Sequence, residues 1–269
     1  MNIIADGGST KVEWLLKKGD EIVARYTSRG MNPSLQGDGE IMHELVMLTR
    51  SCPEFAEATS VEYYGAGCTA AASPRMEACL HSVFPLAKDI TVGSDIIGAA
   101  KALLGDTEGI ACILGTGANS CLWDGRQIVR QTPSLGFILG DEGSGAVLGK
   151  LFLNALYKGK LPSALREMLE KEYAVDMMGV IERVYRQPQP NRWLASLSPF
   201  IKRYIHVPEV DNIVCDNLEA FITRNIVPYY RPDLPVSFVG SIAFYYEDQL
   251  RKVAEKHGVR IGKIIKSPL

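Results

Sequence analysis

The chain has 269 residues, of which 46% are hydrophobic and 22% are charged, and its formal net charge is −2. This composition is that of an ordinary globular protein with enough apolar material for a core, and the length favours two lobes. The nearly neutral charge, without a basic block, argues against nucleic acid or an anionic membrane as the main partner.

Cysteine and histidine usage indicates the compartment and argues against a metal cluster. The six cysteines form no C-x-x-C pair, and the four histidines lie far apart in the sequence and near no cysteine motif. We therefore expect reduced thiols and no zinc site. Since no apolar stretch reaches membrane-spanning length and the first residues enter a strand rather than a signal peptide, we expect a cytoplasmic protein without a membrane partner.

The first part of the chain is predicted to form three β-strands followed by alternating helices and strands. The three strands are NIIADGG, VEWLLKKG and EIVARYTSRG, with Gly19-Asp20 as the hairpin turn between the last two. A loop, GMNPSLQGDGE, precedes a helix near 41–49. The pattern then predicts a strand at 61–64, a helix from about 70 to 83, a strand at 90–93 and a helix at 95–104.

The same pattern restarts near residue 109, with strands in GIACILGTG, NSCLWDG and RQIVRQT and a turn at Asp124-Gly125. Helical segments fill roughly 143–227, and VSFVGSIAFYYEDQLRKVAEKHG predicts a strand, a glycine turn and a helix before a last strand in VRIGKII. Two units of this kind predict an α/β protein of two related lobes, 1–107 and 108–269, with mixed sheets covered by helices. The last residues are expected to pack back on the N-terminal lobe.

Two glycine turns occupy equivalent places in the two units. The first is Asp6-Gly7-Gly8-Ser9-Thr10-Lys11, where glycines would let main-chain amides approach an anion and the hydroxyls and the lysine would add donors and charge. Asp6 would repel a bare phosphate unless hydrated Mg²⁺ lay between them. Alone, this turn also fits an ordinary hairpin. The second turn, Leu114–Ser120 (LGTGANS), makes a matched pair that a phosphate chain held from both sides would need.

Three further segments carry candidate site residues. Asp95 in ITVGSDIIGAAKALLG stands at a helix start, where it can cap the helix, act as a general base, or do both. In PSLGFILGDEGSGAVLG, Gly136, Gly140, Gly143 and Gly145 surround Asp141 and Glu142, which are either favourable acids of a first helical turn or acceptors for sugar hydroxyls. Gly240-Ser241 in VSFVGSIAFYY fits either a routine βα turn or a surface for a base and its ribose.

The motifs DGGSTK, GSD, LGTGANS, GDEGSGAVLG and VGSIA, in this order from residue 6 to about 243, resemble those of the actin/Hsp70/sugar-kinase superfamily. Within it the chain is most similar to the N-acetylglucosamine kinase-like branch of the BadF/BadG/BcrA/BcrD ATPase family. The resemblance implies a two-lobed, actin-like fold built on a ribonuclease H-like repeat, with an active-site cleft between the lobes. It also implies a homodimer that uses ATP and Mg²⁺ to phosphorylate an N-acetylated amino sugar, with the 6-hydroxyl as the expected acceptor.

The resemblance also implies a role for each matching residue. Asp6 would organise Mg²⁺ through water, and Asp95 would deprotonate the sugar hydroxyl. The phosphates would be held by Gly7, Gly8, Ser9 and Thr10, with Lys11 beside them, and by Gly115, Thr116 and Gly117. Gly240 and Ser241 would lie against the adenosine. The sugar would be contacted by Asn32, in the loop GMNPS, and by Thr116, Asn119 and Asp141.

Several alternatives stay open at this stage. N-acetylglucosamine, N-acetylmuramic acid and glucosamine all fit as substrates. An ATP-dependent activator of a 2-hydroxyacyl-CoA dehydratase would need two thiolates per subunit for a dimer-bridging iron–sulfur cluster, and Cys68 in GAGCTAAAS is the one cysteine in a suitable setting. A non-catalytic nucleotide or sugar sensor would not need Asp95. Family members commonly carry a further helix after an SP near the C-terminus, whereas this sequence ends at Ser267-Pro268-Leu269.

Overall fold

The computed structural model describes residues 1–8 and 10–269, and the chain divides into two compact units. The N-terminal unit comprises Met1–Ala102 together with Pro268–Leu269, and the C-terminal unit comprises Leu103–Ser267. Within the described residues, none of the helices combines the length and apolarity needed to cross a membrane. All six cysteines are described and are free thiols, as the sequence predicted.

The N-terminal unit contains a mixed five-stranded sheet. Its strands are β1 (Asn2–Gly7), β2 (Lys11–Lys18), β3 (Glu21–Arg29), β4 (Ser60–Gly65) and β5 (Asp89–Ser94). Its helices are α1 (Asp38–Ser51), a 3₁₀ turn (Pro53–Glu57), α2 (Ser73–Val83) and α3 (Asp95–Leu104). The strand order is β3-β2-β1-β4-β5, in which β1, β2 and β3 are antiparallel neighbours and β4 and β5 run parallel to β1.

The core of this unit follows from the periodicity of its elements. Along β1, alternate residues such as Ile3 and Ala5 are buried, as expected for a strand with one face on the core. Ile41, Leu45 and Leu48 form the buried stripe of α1 at helical spacing. The helix α2 begins at Ser73 rather than near residue 70, because a proline in its first turn favours a start there.

The C-terminal unit repeats this topology. Its strands are β6 (Gly109–Leu114), β7 (Ala118–Trp123), β8 (Ile128–Thr132), β9 (Val236–Val239) and β10 (Ile261–Ile265), in the order β10-β9-β6-β7-β8. In both sheets the first strand is central, with an antiparallel meander on one side and two parallel strands on the other. The predicted α/β fold with mixed, helix-covered sheets and two related units is therefore confirmed.

Helices of the C-terminal unit fall mainly in the segment that the sequence predicted as helical. They are α4 (Gly136–Leu139), α5 (Gly145–Tyr157), α6 (Ser163–Tyr173), α7 (Met177–Tyr185), α8 (Pro190–Ala195), α9 (Ser198–Arg203), α10 (Pro208–Phe221), α11 (Ser241–Tyr245) and α12 (Glu247–Lys256). A π-helix (Ile222–Ile226) and a 3₁₀ turn (Val227–Tyr229) follow α10 directly. The short helix α4 was not predicted; it follows Leu135, whose backbone is left-handed (φ +59°).

Candidate active site

The carboxyl ends of the parallel strands gather the candidate residues of the N-terminal unit at one edge of its sheet. In the register of the sheet, Gly7 lies beside Gly65, and Gly65 lies beside Ser94. The glycine turn follows β1 at this edge, and Asp95 follows β5. Since ligands of open α/β sheets bind outside the carboxyl ends of the strands, this edge is where a site is expected.

The first glycine turn is closed by main-chain hydrogen bonds. The amide of Gly8 donates to the carbonyl of Lys11 over 2.9 Å, and the amide of Gly30 donates to the carbonyl of Thr10 over 3.0 Å. Ser9, which the sequence places in this turn, lies outside the described residues. The turn is therefore anchored at both ends, as a preorganised anion-binding loop requires.

Tyr63 explains why β1 and β4 both end in glycine. A Cβ on Gly7 would lie 2.4 Å from the Tyr63 hydroxyl oxygen, and a Cβ on Gly65 would lie 2.4 Å from its ring carbon Cε1. The Tyr63 ring, 5.7 Å from that of Trp14, thus occupies the space that two side chains would fill. Its hydroxyl is fully buried and makes no hydrogen bond within residues 1–8 and 10–269. No local pattern in the sequence indicates this arrangement.

The carboxylates of Asp6 and Asp95 interact electrostatically. The pKa of Asp6 is raised to about 7, chiefly by burial and then by the charges of Asp95 and Glu13, with a smaller opposing effect of Lys11. The Lys11 ammonium forms an ion pair with Glu13. Burial and, to a smaller extent, the charge of Asp95 raise the pKa of the Cys68 thiol to about 12.

The carboxylates of Asp6 and Asp95 suit a hard divalent cation. Mg²⁺ is typically bound through one or two carboxylates, water and substrate phosphates, and a cation near Asp6 would offset the repulsion that raises its pKa. Asp6 is thus the residue that would hold such an ion. Within the described ranges, no cluster of three or more His, Cys, Asp or Glu side chains is arranged to bind a metal by itself.

Asp95 is the first residue of α3, and its Oδ1 accepts a hydrogen bond from the amide of Ile96 over 2.8 Å. The helix start therefore fixes the carboxylate at the edge of the sheet. A carboxylate held in this way can accept a proton from a bound hydroxyl.

Asn32 lies in a rigid loop before α1. Its Oδ1 accepts from the amide of Ser34 over 3.0 Å, so the amide group of the side chain is oriented with its N–H donors away from that bond. Ser34 in turn donates to the carbonyl of Gly67 over 2.6 Å. Gly67 has φ +75°, and a Cβ there would lie 1.9 Å from Asn32 Oδ1. Only glycine at position 67 leaves Asn32 in this position.

Arg75 of α2 clamps the same loop from the other side. Its guanidinium donates to the carbonyls of Pro33 (2.8 Å) and Gln36 (2.9 Å) and to the carboxylate of Asp38. Arg75 was not predicted as a site residue, because nothing local to SPRMEA indicates a contact with a loop some forty residues earlier.

The second glycine turn, at the end of β6, is bonded to the start of α5. The amide of Gly145 donates to the carbonyl of Gly115 (2.8 Å), and the amide of Ala146 donates to the carbonyl of Thr116 (3.2 Å). Within the turn, the amide of Gly115 donates to the carbonyl of Gly117 (2.9 Å). The second glycine turn and the start of α5 are therefore held together by main-chain hydrogen bonds.

Gly240 packs on the base of this turn. It follows β9, which is parallel to β6, and its φ of +120° is one that glycine adopts without strain. A Cβ on Gly240 would lie 2.4 Å from the carbonyl oxygen of Leu114. Ser241 begins α11 immediately afterwards. The turn between β6 and β7 and the turn between β9 and α11 are thus in direct contact.

Asp141 and Asn119 complete the predicted residues of the C-terminal unit. Asp141 has a left-handed backbone (φ +55°), and its Oδ2 lies 3.2 Å from the position of a Cβ on Gly117, so its carboxylate is next to the second glycine turn. Non-glycine residues in this conformation are uncommon and concentrate at functional sites. Asn119, on β7, accepts hydrogen bonds at Oδ1 from the Ser120 amide (2.9 Å) and from Gln131 Nε2 (3.0 Å).

Asn217 is a further residue that the sequence analysis missed. It is 2% exposed, accepts from the amide of Gly143 over 2.9 Å and donates to the carbonyl of Ser144 over 3.2 Å. Asn217 lies on the buried face of α10, in line with Val214 and Phe221. A buried asparagine side chain needs polar partners, so an asparagine in this apolar stripe could have indicated a structural role.

No protein-family model matches the chain, and no curated protein matches it either. Among solved structures, the chain is similar to a Porphyromonas gingivalis protein named "putative N-acetylglucosamine kinase". The two are 45% identical, the match covers 100% of this chain and 95% of the other, and the TM-score is 0.98. This chain belongs to the N-acetylglucosamine kinase-like branch of the BadF/BadG/BcrA/BcrD ATPase family.

More distant structures share the fold of this family. A Chromobacterium violaceum protein, also named a "putative N-acetylglucosamine kinase", is 21% identical over 97% of this chain and 93% of its own, with a TM-score of 0.77. The ethanolamine utilization protein EutJ of Carboxydothermus hydrogenoformans is 13% identical over 99% of this chain and 85% of its own, with a TM-score of 0.59. The predicted actin-like fold is confirmed.

Proposed function

We propose that this protein is an ATP-dependent kinase that transfers the γ-phosphoryl group of ATP to a hydroxyl of an N-acetylated amino sugar. N-acetylglucosamine is the first candidate substrate, and the 6-hydroxyl is the expected acceptor. The observation that carries the proposal is the pair of carboxylates, Asp6 and Asp95, at one sheet edge beside an anchored glycine turn. The 45% identity over the whole chain to a protein named as such a kinase supports the choice of substrate class.

In this proposal the phosphates of ATP are bound at both glycine turns, Gly7–Lys11 and Gly115–Gly117. Both turns are held by hydrogen bonds to neighbouring segments, so they need little reorganisation on binding. Mg²⁺, when bound, would neutralise part of the charge on the phosphates, and Asp6 is the residue that would hold it through water. Gly240 lies against the second turn, and Gly240 and Ser241 are proposed to contact the adenosine.

Asp95 is proposed as the general base. Phosphoryl transfer passes through a loose transition state, so most of the catalysis comes from positioning and electrostatics. Asp95 would accept the proton of the sugar hydroxyl as the oxygen attacks phosphorus. The carboxylate is fixed by its hydrogen bond to the Ile96 amide, which supports this role.

The sugar is proposed to be recognised by Asn32 from the N-terminal unit and by Thr116, Asn119 and Asp141 from the C-terminal unit. Asn32 would donate hydrogen bonds from its amide group, because its Oδ1 is engaged by Ser34. Asp141 would accept hydrogen bonds from ring hydroxyls. We further propose that the lobes 1–107 and 108–269 expected from the sequence correspond to the two units, apart from a few residues at the boundary and the last two residues, and that the protein is a homodimer.

The test is a coupled ADP-release assay with N-acetylglucosamine, N-acetylmuramic acid, glucosamine and glucose, using wild type and Asp95→Asn in parallel. We expect release that depends on an N-acetylated sugar and is lowered about 10²–10⁴-fold by the substitution. NMR of the product identifies the phosphorylated hydroxyl. The absence of sugar-dependent ADP release with every sugar would exclude the proposal, and a brown, oxygen-sensitive protein would support the activator of 2-hydroxyacyl-CoA dehydratases instead.

A further inference from the structure

Asp141 and Glu142 are adjacent carboxylates whose side chains make different contacts. Asp141 lies against Gly117 in the second glycine turn. The Glu142 carboxylate instead accepts a hydrogen bond from Arg224 Nη1, with Oε1 at 2.8 Å, and its side chain is only 17% exposed. The proposed sugar contact accounts for Asp141 but not for Glu142.

The partners of Glu142 come from the π-helix Ile222–Ile226. This segment continues α10 with a wider turn, and such turns are rare and frequently found at functional sites. The side chain of Asn225 also hydrogen-bonds to Glu142, and its carbonyl accepts from the hydroxyls of Ser120 on β7 and Thr132 on β8. The π-helix therefore connects Glu142 to the strands that follow the second glycine turn.

The remainder of the loop is held by main-chain contacts on both sides. Three of its main-chain amides donate hydrogen bonds: Gly143 to Asn217 Oδ1 (2.9 Å), Ser144 to the carbonyl of Asp141 (3.0 Å) and Gly145 to the carbonyl of Gly115 (2.8 Å). Asp141 itself donates to the carbonyl of Ser134 over 3.0 Å. Because the left-handed backbone of Asp141 is unfavourable by itself, it needs such contacts to stay in place, and these main-chain bonds are part of them.

We propose that Glu142 is a positioning residue: through its ion pair with Arg224 it fixes the loop 141–144 and thereby sets the position of Asp141 for the sugar. This inference rests on the proposed function. Burial raises the pKa of Glu142, but hydrogen bonds from Arg224 and Asn225 outweigh that effect and hold the pKa below its ordinary value. The carboxylate is therefore ionised at neutral pH and the ion pair is formed.

The contribution of this pair to folding should be small. The Arg224 side chain is 67% exposed, and ion pairs with an exposed partner contribute about 0–1 kcal/mol. Glu142→Gln and Arg224→Gln should therefore fold, which leaves sugar affinity as the property that changes. Arg251→Gln is a matched control, since Arg251 forms an exposed ion pair with Glu247 on α12, in the same unit.

The first measurement is amide hydrogen exchange of the ligand-free proteins. The amides of residues 143–145 should exchange about tenfold faster in Glu142→Gln and in Arg224→Gln than in wild type, and at the wild-type rate in Arg251→Gln. This measurement needs no substrate, so it tests the anchoring even if the proposed function is wrong. Unchanged exchange of these amides in both variants would overturn the inference.

The second measurement is steady-state kinetics. We expect each of the two variants to raise the KM for N-acetylglucosamine about 3- to 10-fold, with kcat and the KM for Mg·ATP nearly unchanged. Because the two residues act through one contact, the double variant should be no worse than the poorer single variant. Additive effects, or an equal rise in the KM for Mg·ATP, would contradict the positioning role. A wild type that phosphorylates none of the sugars would refute the proposed function alone.

Discussion

Gly67→Ala is the substitution whose outcome the structure specifies most closely. The backbone at Gly67 is left-handed (φ +75°), which costs a residue with a Cβ about 1–2 kcal/mol. The new Cβ would also lie 1.9 Å from Asn32 Oδ1, whereas ordinary contacts begin at 3.4 Å. Asn32 must therefore move, and its hydrogen bond from the Ser34 amide, worth about 0.5–1.5 kcal/mol, is lost. The expected loss of stability is about 1.5–3.5 kcal/mol.

Gly19→Ala separates the two effects. Gly19, in the hairpin between β2 and β3, has a similar φ of +62°, and a Cβ there meets no atom of residues 1–8 and 10–269 within 4 Å. This control should therefore lose about 1–2 kcal/mol from backbone strain alone. The difference between the two variants, about 1 kcal/mol, reports the displacement of Asn32.

Urea unfolding measures the stabilities, and the ADP-release assay measures the kinetics. If Asn32 donates to the sugar, Gly67→Ala should raise the sugar KM about tenfold, which corresponds to about 1.4 kcal/mol, while Gly19→Ala should leave it unchanged. Equal sugar KM values in the two variants would refute the assignment of Asn32 as a substrate contact. Equal stabilities would refute the steric argument from the structure.

Three further predictions concern the N-terminal unit. Asp95→Asn should lower kcat about 10²–10⁴-fold and change the sugar KM little, and nearly normal turnover would remove Asp95 from the mechanism. Tyr63→Phe should increase the free energy of unfolding of the ligand-free protein by about 1 kcal/mol in urea titrations. The reason is that it removes a buried hydroxyl that has no hydrogen-bond partner within residues 1–8 and 10–269. A clear loss of stability would show that the hydroxyl is bonded. The pKa of Asp6 rises from 3.8 to about 7 on folding, so its contribution to stability is complete below pH 4 and is lost as the pH rises through 7. Asp6→Asn should therefore become more stable relative to wild type between pH 5 and pH 8 in the absence of nucleotide, and a pH-independent difference would contradict this.

The sequence alone determined the fold and the kinds of residue at the candidate site. Strand and helix periodicities are local, so the repeated β-β-β-α pattern could be read without knowing which elements meet. The glycine turns could be predicted for the same reason, because a strand and the glycines at its end lie within a few residues of each other in the sequence. The parallel arrangement of β1, β4 and β5 then brings Asp95 to the edge where Asp6 stands.

The tertiary structure alone decided what surrounds those residues. Glu142 and Arg224 are 82 positions apart, and Asn217 lies 74 positions from Gly143, so no local pattern could indicate either contact. Tyr63 covers Gly7 only because β4 pairs with β1. Sequence periodicity reports which face of an element is buried, whereas the partner on that face depends on how distant segments pack. The residues of the candidate site could therefore be proposed from the sequence, whereas the contacts that hold its loops in place could not.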